Sequence, residues 1–149
     1  IHTLLLKRKL TIAVAESCTG GLTSKMLTDL AGSSLYFKLG AITYSNSSKI
    51  KILGIPSSLI RKRGAVSKQV AQKMACNIRR LAASRIGIGI TGIAGPSGAT
   101  IRNPVGTVFI CACSPAQCIC KKFNFTGSRQ AIRYKSALAA LRLACRVCS

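Results

Sequence analysis

Alternating apolar runs and helical patterns lay out the fold. Residues 11–15 (TIAVA) form a short apolar run, which predicts a buried strand. Polar residues 16–21 (ESCTGG) follow, and Leu22, Met26, Leu27 and Leu30 then recur at helical spacing. Ser17 or Thr19 is placed to cap that helix, and Gly32-Ser33-Ser34 breaks it. Residues 40–44 (GAITY) predict a second strand, residues 45–53 a short helix, and Pro56 the start of another. Ser67 caps a helix in which Val70, Met74, Ile78 and Leu81 share one face. Residues 86–90 (IGIGI) predict a third strand, where Gly87 and Gly89 admit close approach of a neighbouring backbone. A Gly/Pro loop occupies residues 91–98 (TGIAGPSG). Residues 105–113 and 118–125 predict two strands joined by a hairpin-length link, and residues 127–147 a closing helix capped by Ser128.

This order predicts an α/β fold with a sheet of about five strands, mixed rather than purely parallel because it ends in a hairpin. A length of 149 residues predicts one domain, spanning 1–149. No apolar run approaches the roughly 18 residues of a membrane span, so no membrane partner is expected.

Composition narrows the chemistry. Lys and Arg number 23, Asp and Glu 2, for a net charge of +21 with one His. Two acids leave little for a paired-carboxylate hydrolase, and they do not build a calcium or two-metal site. His2, near the chain start, is a poor candidate for a Ser-His-Asp triad. Ser, Thr, Tyr, Cys, Lys and Arg chemistry remains, or binding alone.

The eight cysteines follow no secretory leader, so a cytoplasmic protein with reduced thiols is expected. Four of them, Cys111, Cys113, Cys118 and Cys120, fall on the hairpin. Four thiols there could chelate zinc, but C-x-C departs from the usual C-x2-C spacing. They read instead as buried small hydrophobes, and no metal site is expected. Basic clusters such as Arg61-Lys62-Arg63 and Arg79-Arg80 suit solvated helix faces with incidental nucleic-acid affinity. Aromatics, at 5%, give a poor stacking platform for single strands.

Three polar clusters follow the first three predicted strands, where open α/β sheets bind ligands. The first is Glu16-Ser17-Cys18-Thr19-Gly20-Gly21. Its glycines expose N–H groups at a helix start, which suits an anion. Its Ser becomes a nucleophile if a base lies beside it. The second holds Tyr44, Asn46 and Lys49, and a desolvated Lys49 can serve as that base. The third holds Thr91, Gly92 and Gly95. Against these stand plainer roles: capping for Ser17, solvation for Lys49, a structural hydrogen bond for Glu16.

Seven stretches taken together resemble the C-terminal domain of the CinA family, the nicotinamide-nucleotide amidohydrolases. They are residues 15–21 (AESCTGG), 28–34 (TDLAGSS), 43–49 (TYSNSSK), 64–67 (GAVS), 91–96 (TGIAGP), 104–108 (PVGTV) and 127–133 (GSRQAIR). The resemblance implies a three-layer α/β/α sandwich on a mixed five-stranded sheet. It implies hydrolysis of the carboxamide of nicotinamide mononucleotide (NMN) to nicotinate mononucleotide and ammonia, with no cofactor and no metal. A homo-oligomer acting on a small nucleotide is expected.

The implied roles divide among the clusters. Lys49 is the general base, and Tyr44 and Thr91 position it, the nucleophile or the substrate. Two serines compete as nucleophile: Ser17, by its place at a strand end, and Ser34, by its place in the GSS motif. Glu16, Thr19, Gly20, Gly21, Asn46, Gly92 and Gly95 are expected at the substrate. Amides near Gly92 or Gly20 face the oxyanion, and Arg129, or else Arg133, takes the phosphate or carboxylate. The family's usual acid before that Arg is Ser128 here. The rival reading is a nucleotide- or polyanion-binding protein that keeps the fold without the activity.

Overall fold

A computed structural model describes residues 1–148. Its elements run α1 (His2–Lys7), β1 (Ile12–Glu16), α2 (Leu22–Thr28), a 3-10 turn (Ser33–Leu35), β2 (Phe37–Ile42), α3 (Asn46–Leu53), α4 (Ser57–Arg63), α5 (Lys68–Leu81), β3 (Ile86–Gly92), β4 (Thr107–Cys113), β5 (Cys118–Asn124) and α6 (Arg129–Cys145). The sheet order is β2-β1-β3-β4-β5. Strands β2, β1 and β3 are parallel, and β4 and β5 join antiparallel. The sheet is therefore mixed, with helices on both faces.

Strand alternation sorts the core. Ile12, Val14, Ile88, Ile90, Val108 and Ile110 pack on one face with Leu5, Leu27, Ile132 and Leu143. Ala13 and Ala15 turn to the other, against Leu53, Ile55, Ile60, Val70, Met74 and Ile78. The small side chains on this second face let α5 lie close. Built on Gly89, a Cβ would come within 2.3 Å of the Ala71 carbonyl oxygen and 2.5 Å of the Ala75 nitrogen. Gly89→Ala is expected to push α5 off the sheet at a cost of about 2–3 kcal/mol, and a urea melt with unchanged slope measures it.

Three details differ from expectation. The second strand is Phe37–Ile42 rather than 40–44, so Thr43 and Tyr44 lie beyond the ladder. Its alternation of half-buried and exposed positions is that of an edge strand. Helix α2 is not capped by Ser17 or Thr19: Gly21 stands at its N-cap and a carboxylate from β1 takes over the work. Ser67 and Ser128 do cap α5 and α6 through their hydroxyls.

The hairpin thiols are the third correction, since none of the four is free. Cys111 pairs with Cys120 and Cys113 with Cys118 as disulfides, leaving Cys18, Cys76, Cys145 and Cys148 as thiols. The cause is register: each pair sits directly opposite in the β4–β5 ladder, with Cα atoms 4.1 Å apart. Cys111 and Cys113 are buried as expected, whereas Cys118 is exposed. Among the described residues no helix is long and apolar enough to cross a membrane.

Candidate active site

The carboxyl ends of β1, β2 and β3 open on one edge of the sheet, and β1 lies between the other two. Chain connections leave in opposite directions there, so a crevice forms beyond the strand ends. A cleft of about 260 Å³ fills it, lined by Ser17, Cys18, Tyr44, Asn46, Lys49, Thr91, Gly92, Gly95 and Arg129, with Ala65 and Val66 on one wall.

Lys49 is the centre of this cleft. It is on α3, which starts at Ser45, whose hydroxyl accepts from the Ser48 N–H at 3.0 Å. That cap fixes the first turn and turns the Lys49 side chain inward, where it is only 1% exposed. Its Nζ lies 3.0 Å from Ser17 Oγ, 2.8 Å from the Thr43 carbonyl oxygen and 3.2 Å from that of Tyr44. Ending β2 at Ile42 is what frees the Tyr44 and Thr43 carbonyls for this purpose. Among the described residues no carboxylate faces the ammonium, and burial pulls its pKa down to about 8, with Cys18 partly opposing.

This arrangement has a chemical consequence. A carbonyl oxygen only accepts hydrogen bonds. When Lys49 is neutral, its two N–H bonds stay on the carbonyls and its lone pair faces Ser17 Oγ. Neighbouring Cys18 is a poor nucleophile, because burial pushes its thiol up to about 12.

Other residues shape the walls. Thr91 Oγ1 donates to the Ala65 carbonyl at 2.9 Å, and Asn103 Nδ2 to that of Val66 at 3.1 Å, which pins the segment before α5 against β3. Ala65 and Val66 therefore belong to the site, although only the GAVS resemblance marked them. Arg129 opens α6 and donates to the Gly95 carbonyl at 2.6 Å and to the Tyr44 hydroxyl at 3.0 Å. The structure thus brings Ser17, Tyr44, Asn46, Lys49, Thr91, Gly92, Gly95 and Arg129 together.

Five expected site residues lie elsewhere. Ser34 is exposed in the turn before β2, so the whole of that strand separates it from the cleft edge. Six residues at roughly 3.3 Å each make about 20 Å, and Ser34 does not reach Lys49 within the chain. Glu16 is fully buried and turned toward α2. Its carboxylate accepts from the N–H groups of Gly21 (3.0 Å), Thr23 (3.1 Å) and Ser24 (2.8 Å) and from the Ser24 hydroxyl (2.7 Å). Gly21 therefore has no N–H left for a ligand, and the Gly20 N–H is taken by the Ser17 carbonyl at 3.1 Å. The Thr19 carbonyl accepts from Arg133 Nε and Nη2 at 3.2 and 2.8 Å. Arg133 is thus a tie between α6 and this loop, and Arg129 is the arginine at the cleft.

The whole described chain, residues 1–148, matches the family model for the CinA C-terminal domain. A CinA-like protein of Geobacter sulfurreducens is 47% identical over 141 residues, covering 95% of this chain and 34% of that protein. A second, from Syntrophus aciditrophicus, is 45% identical and covers 96% of this chain. The chain therefore spans about a third of the length of the curated relatives it matches. Among solved structures, the competence/damage inducible protein CihA of Agrobacterium tumefaciens superposes with a TM-score of 0.97 at 32% identity, covering 100% of this chain and 92% of that one. A CinA superfamily protein of Escherichia coli gives 0.93 at 28% identity, covering 97% and 84%. The chain belongs to the CinA C-terminal domain family.

Proposed function

We propose that this cleft hydrolyses the carboxamide of NMN, with Ser17 as nucleophile and Lys49 as general base. The observation that carries the chemistry is the buried amine 3.0 Å from Ser17 Oγ, with two carbonyls holding its other hydrogens. The choice of NMN rests on the motif resemblance. Ser17 Oγ attacks the carboxamide carbon as its proton passes to Lys49 Nζ. The tetrahedral intermediate collapses, Lys49 returns that proton to the departing nitrogen, and ammonia leaves. Water then attacks the Ser17 ester, giving its proton to Lys49. The nicotinate carboxylate departs and Ser17 recovers its hydrogen. The amide of Cys18, next in the chain to the nucleophile, serves as a backbone donor for the oxyanion. Arg129, beside Tyr44, supplies the cation for the phosphate.

Lowering Lys49 from 10.5 to about 8 raises its neutral fraction near pH 7 by about 300-fold. The base form grows as pH rises, so log kcat/KM for ammonia release from NMN should climb with unit slope to a plateau above an apparent pKa of about 8. A purified chain that releases no ammonia from NMN, or one whose rate falls through this range, overturns the reading.

One observation favours polyanion binding as a second reading. A neighbouring cleft of about 570 Å³ shares Ala65, Val66, Ile93 and Gly98 with the site and is rimmed by Arg61, Lys62, Arg63 and Arg102. Nucleic-acid binding that weakens steeply with salt, in a chain without NMN turnover, would select it.

A further inference from the structure

A sulfur cluster lies far from the cleft in the fold, between α5 and the β4–β5 hairpin. Ladder register places Cys111 opposite Cys120 and Cys113 opposite Cys118, with Cys111 and Cys113 two residues apart on one face of β4. Helix α5 covers that face, and it brings a fifth sulfur. Cys76 Sγ lies 3.4 Å from Cys113 Sγ and 3.6 Å from Cys118 Sγ, while Cys111 and Cys113 Sγ are 3.7 Å apart. The Sγ atoms of Cys76, Cys113 and Cys118 all fall within 4.8 Å of one another.

These separations have a chemical meaning. Thiolates bound tetrahedrally at about 2.3 Å from a zinc ion stand roughly 3.8 Å apart along each edge. The near-equal distances from Cys76 place its sulfur beside the Cys113–Cys118 bond rather than in line with it. That geometry suits shared ligation better than attack on the disulfide, which needs an in-line approach. The donor set is purely soft, because both acids of the chain lie on β1 and just after α2. Such a set selects a thiophilic cation over magnesium or calcium. Ala71 and Ala75 form a small-residue floor, and exposed Cys118 with half-buried Cys76 leaves an entry path.

A basic residue lies one turn further along α5. Arg79 follows Cys76 by one turn of α5 and has a buried Nε with no hydrogen-bond partner. Its Cβ stands over Gly87, the ladder partner of Cys113. Arg79 thus lies one turn from Cys76 on the same helix, with a buried donor still unmet.

We propose that, once the hairpin disulfides are reduced, Cys76, Cys113 and Cys118 hold one soft closed-shell cation of the zinc class, with solvent in its fourth position. Each S–S bond opens by taking two electrons and two protons from a dithiol, which leaves as its own disulfide. The three ligating thiols then lose their protons to solvent as the cation enters. The cluster is thus a disulfide pair in the oxidised chain and a metal site in the reduced one.

The test starts from the whole chain, reduced with a dithiol and desalted without oxygen, with thiols counted before and after. The count should rise from four to eight. Cobalt(II) should then bind one per chain with the visible spectrum of a tetrahedral thiolate site, and zinc should displace it. Cys76→Ser and Cys118→Ser should each weaken zinc binding at least tenfold in competition with a chromophoric chelator. Cys145→Ser, at the far end of α6, should leave it unchanged. Three results overturn the proposal: a folded, fully reduced chain that takes up no zinc, full affinity in both Cys76→Ser and Cys118→Ser, or hairpin disulfides that the dithiol does not open in the folded chain. A Cys76–Cys113 or Cys76–Cys118 bond found by mass mapping without metal uptake would replace it with thiol–disulfide exchange.

Discussion

Lys49→Met is expected to abolish turnover while making the protein more stable. On the catalytic side, the variant keeps a side chain of similar length but removes the only buried amine at Ser17 Oγ. Without a base the hydroxyl is a weak nucleophile, and the departing nitrogen has no acid. A loss of 10³-fold or more in kcat is expected, read as ammonia release from NMN. Ser17→Ala should lose as much, and the double variant little more, because the two groups act as one unit. Ser34→Ala should keep its rate. A Ser34→Ala chain as dead as Ser17→Ala would move the nucleophile to a neighbouring subunit.

The stability side follows from linkage. Lys49 has a folded pKa of about 8 against 10.5 in the free side chain. Below pH 8 both states carry the proton, and the folded state bears the whole cost of a buried ammonium, roughly 3 kcal/mol. Between pH 8 and 10.5 the unfolded chain alone holds the proton, so the cost fades as pH rises. Above 10.5 it is gone. Met escapes this cost but leaves two carbonyls without their donor, which offsets about half of it. The variant should therefore be about 1–2 kcal/mol more stable at pH 7, with the gap closing toward pH 10. A Lys49→Met chain less stable than wild type at pH 7 would show that the amine is held for packing rather than for its lowered pKa.

How much of this could be read before folding depends on the range of each interaction. Parallel strands followed by polar loops are a local pattern, so the edge that carries the cleft was legible, and with it Ser17, Lys49 and Thr91; Arg129 came only from the motif resemblance, which left Arg133 open beside it. The placement of Ser34 followed from the same reasoning, since a residue before a parallel strand lies opposite one after it. What was not legible came from partners distant in the chain. Glu16 looked like a ligand group because cap rules consider residues next to the helix, whereas the carboxylate reaches Ser24 from eight residues back. The fate of the hairpin cysteines depended on register: one residue of slip in either direction would have left no two of them opposite each other. Cys76 could join them only through the packing of α5 on the sheet. The charge proved the least informative feature, for of 23 basic residues only Lys49 and Arg129 line the cleft.

Glu16→Gln should be among the most destabilising substitutions in the chain, although it keeps shape and volume. The carboxylate meets four donors, two at each oxygen. A carboxamide has one oxygen and one NH2. With the NH2 at the Oε2 position the N–H groups of Gly21 and Thr23 both lose their acceptor; with it at Oε1 the Ser24 hydroxyl can turn to accept, but the Ser24 N–H is left unmet. The change also removes the negative charge from the start of α2, a helix with no acidic residue in its first turn and no side-chain cap of its own. Breaking a buried, charge-assisted set of this kind costs about 3–5 kcal/mol, which a denaturant melt would show as a lowered midpoint with unchanged slope. Because Glu16 immediately precedes Ser17, loss of the clamp frees the turn that aims the nucleophile, and kcat should fall even well below the melting temperature. A direct ligand role makes the opposite forecast: Glu16→Gln would keep its stability and raise KM alone. The fully buried position of the carboxylate and its four occupied acceptor sites argue for the clamp. In a chain with two acids, one of them thus holds the turn that presents Ser17.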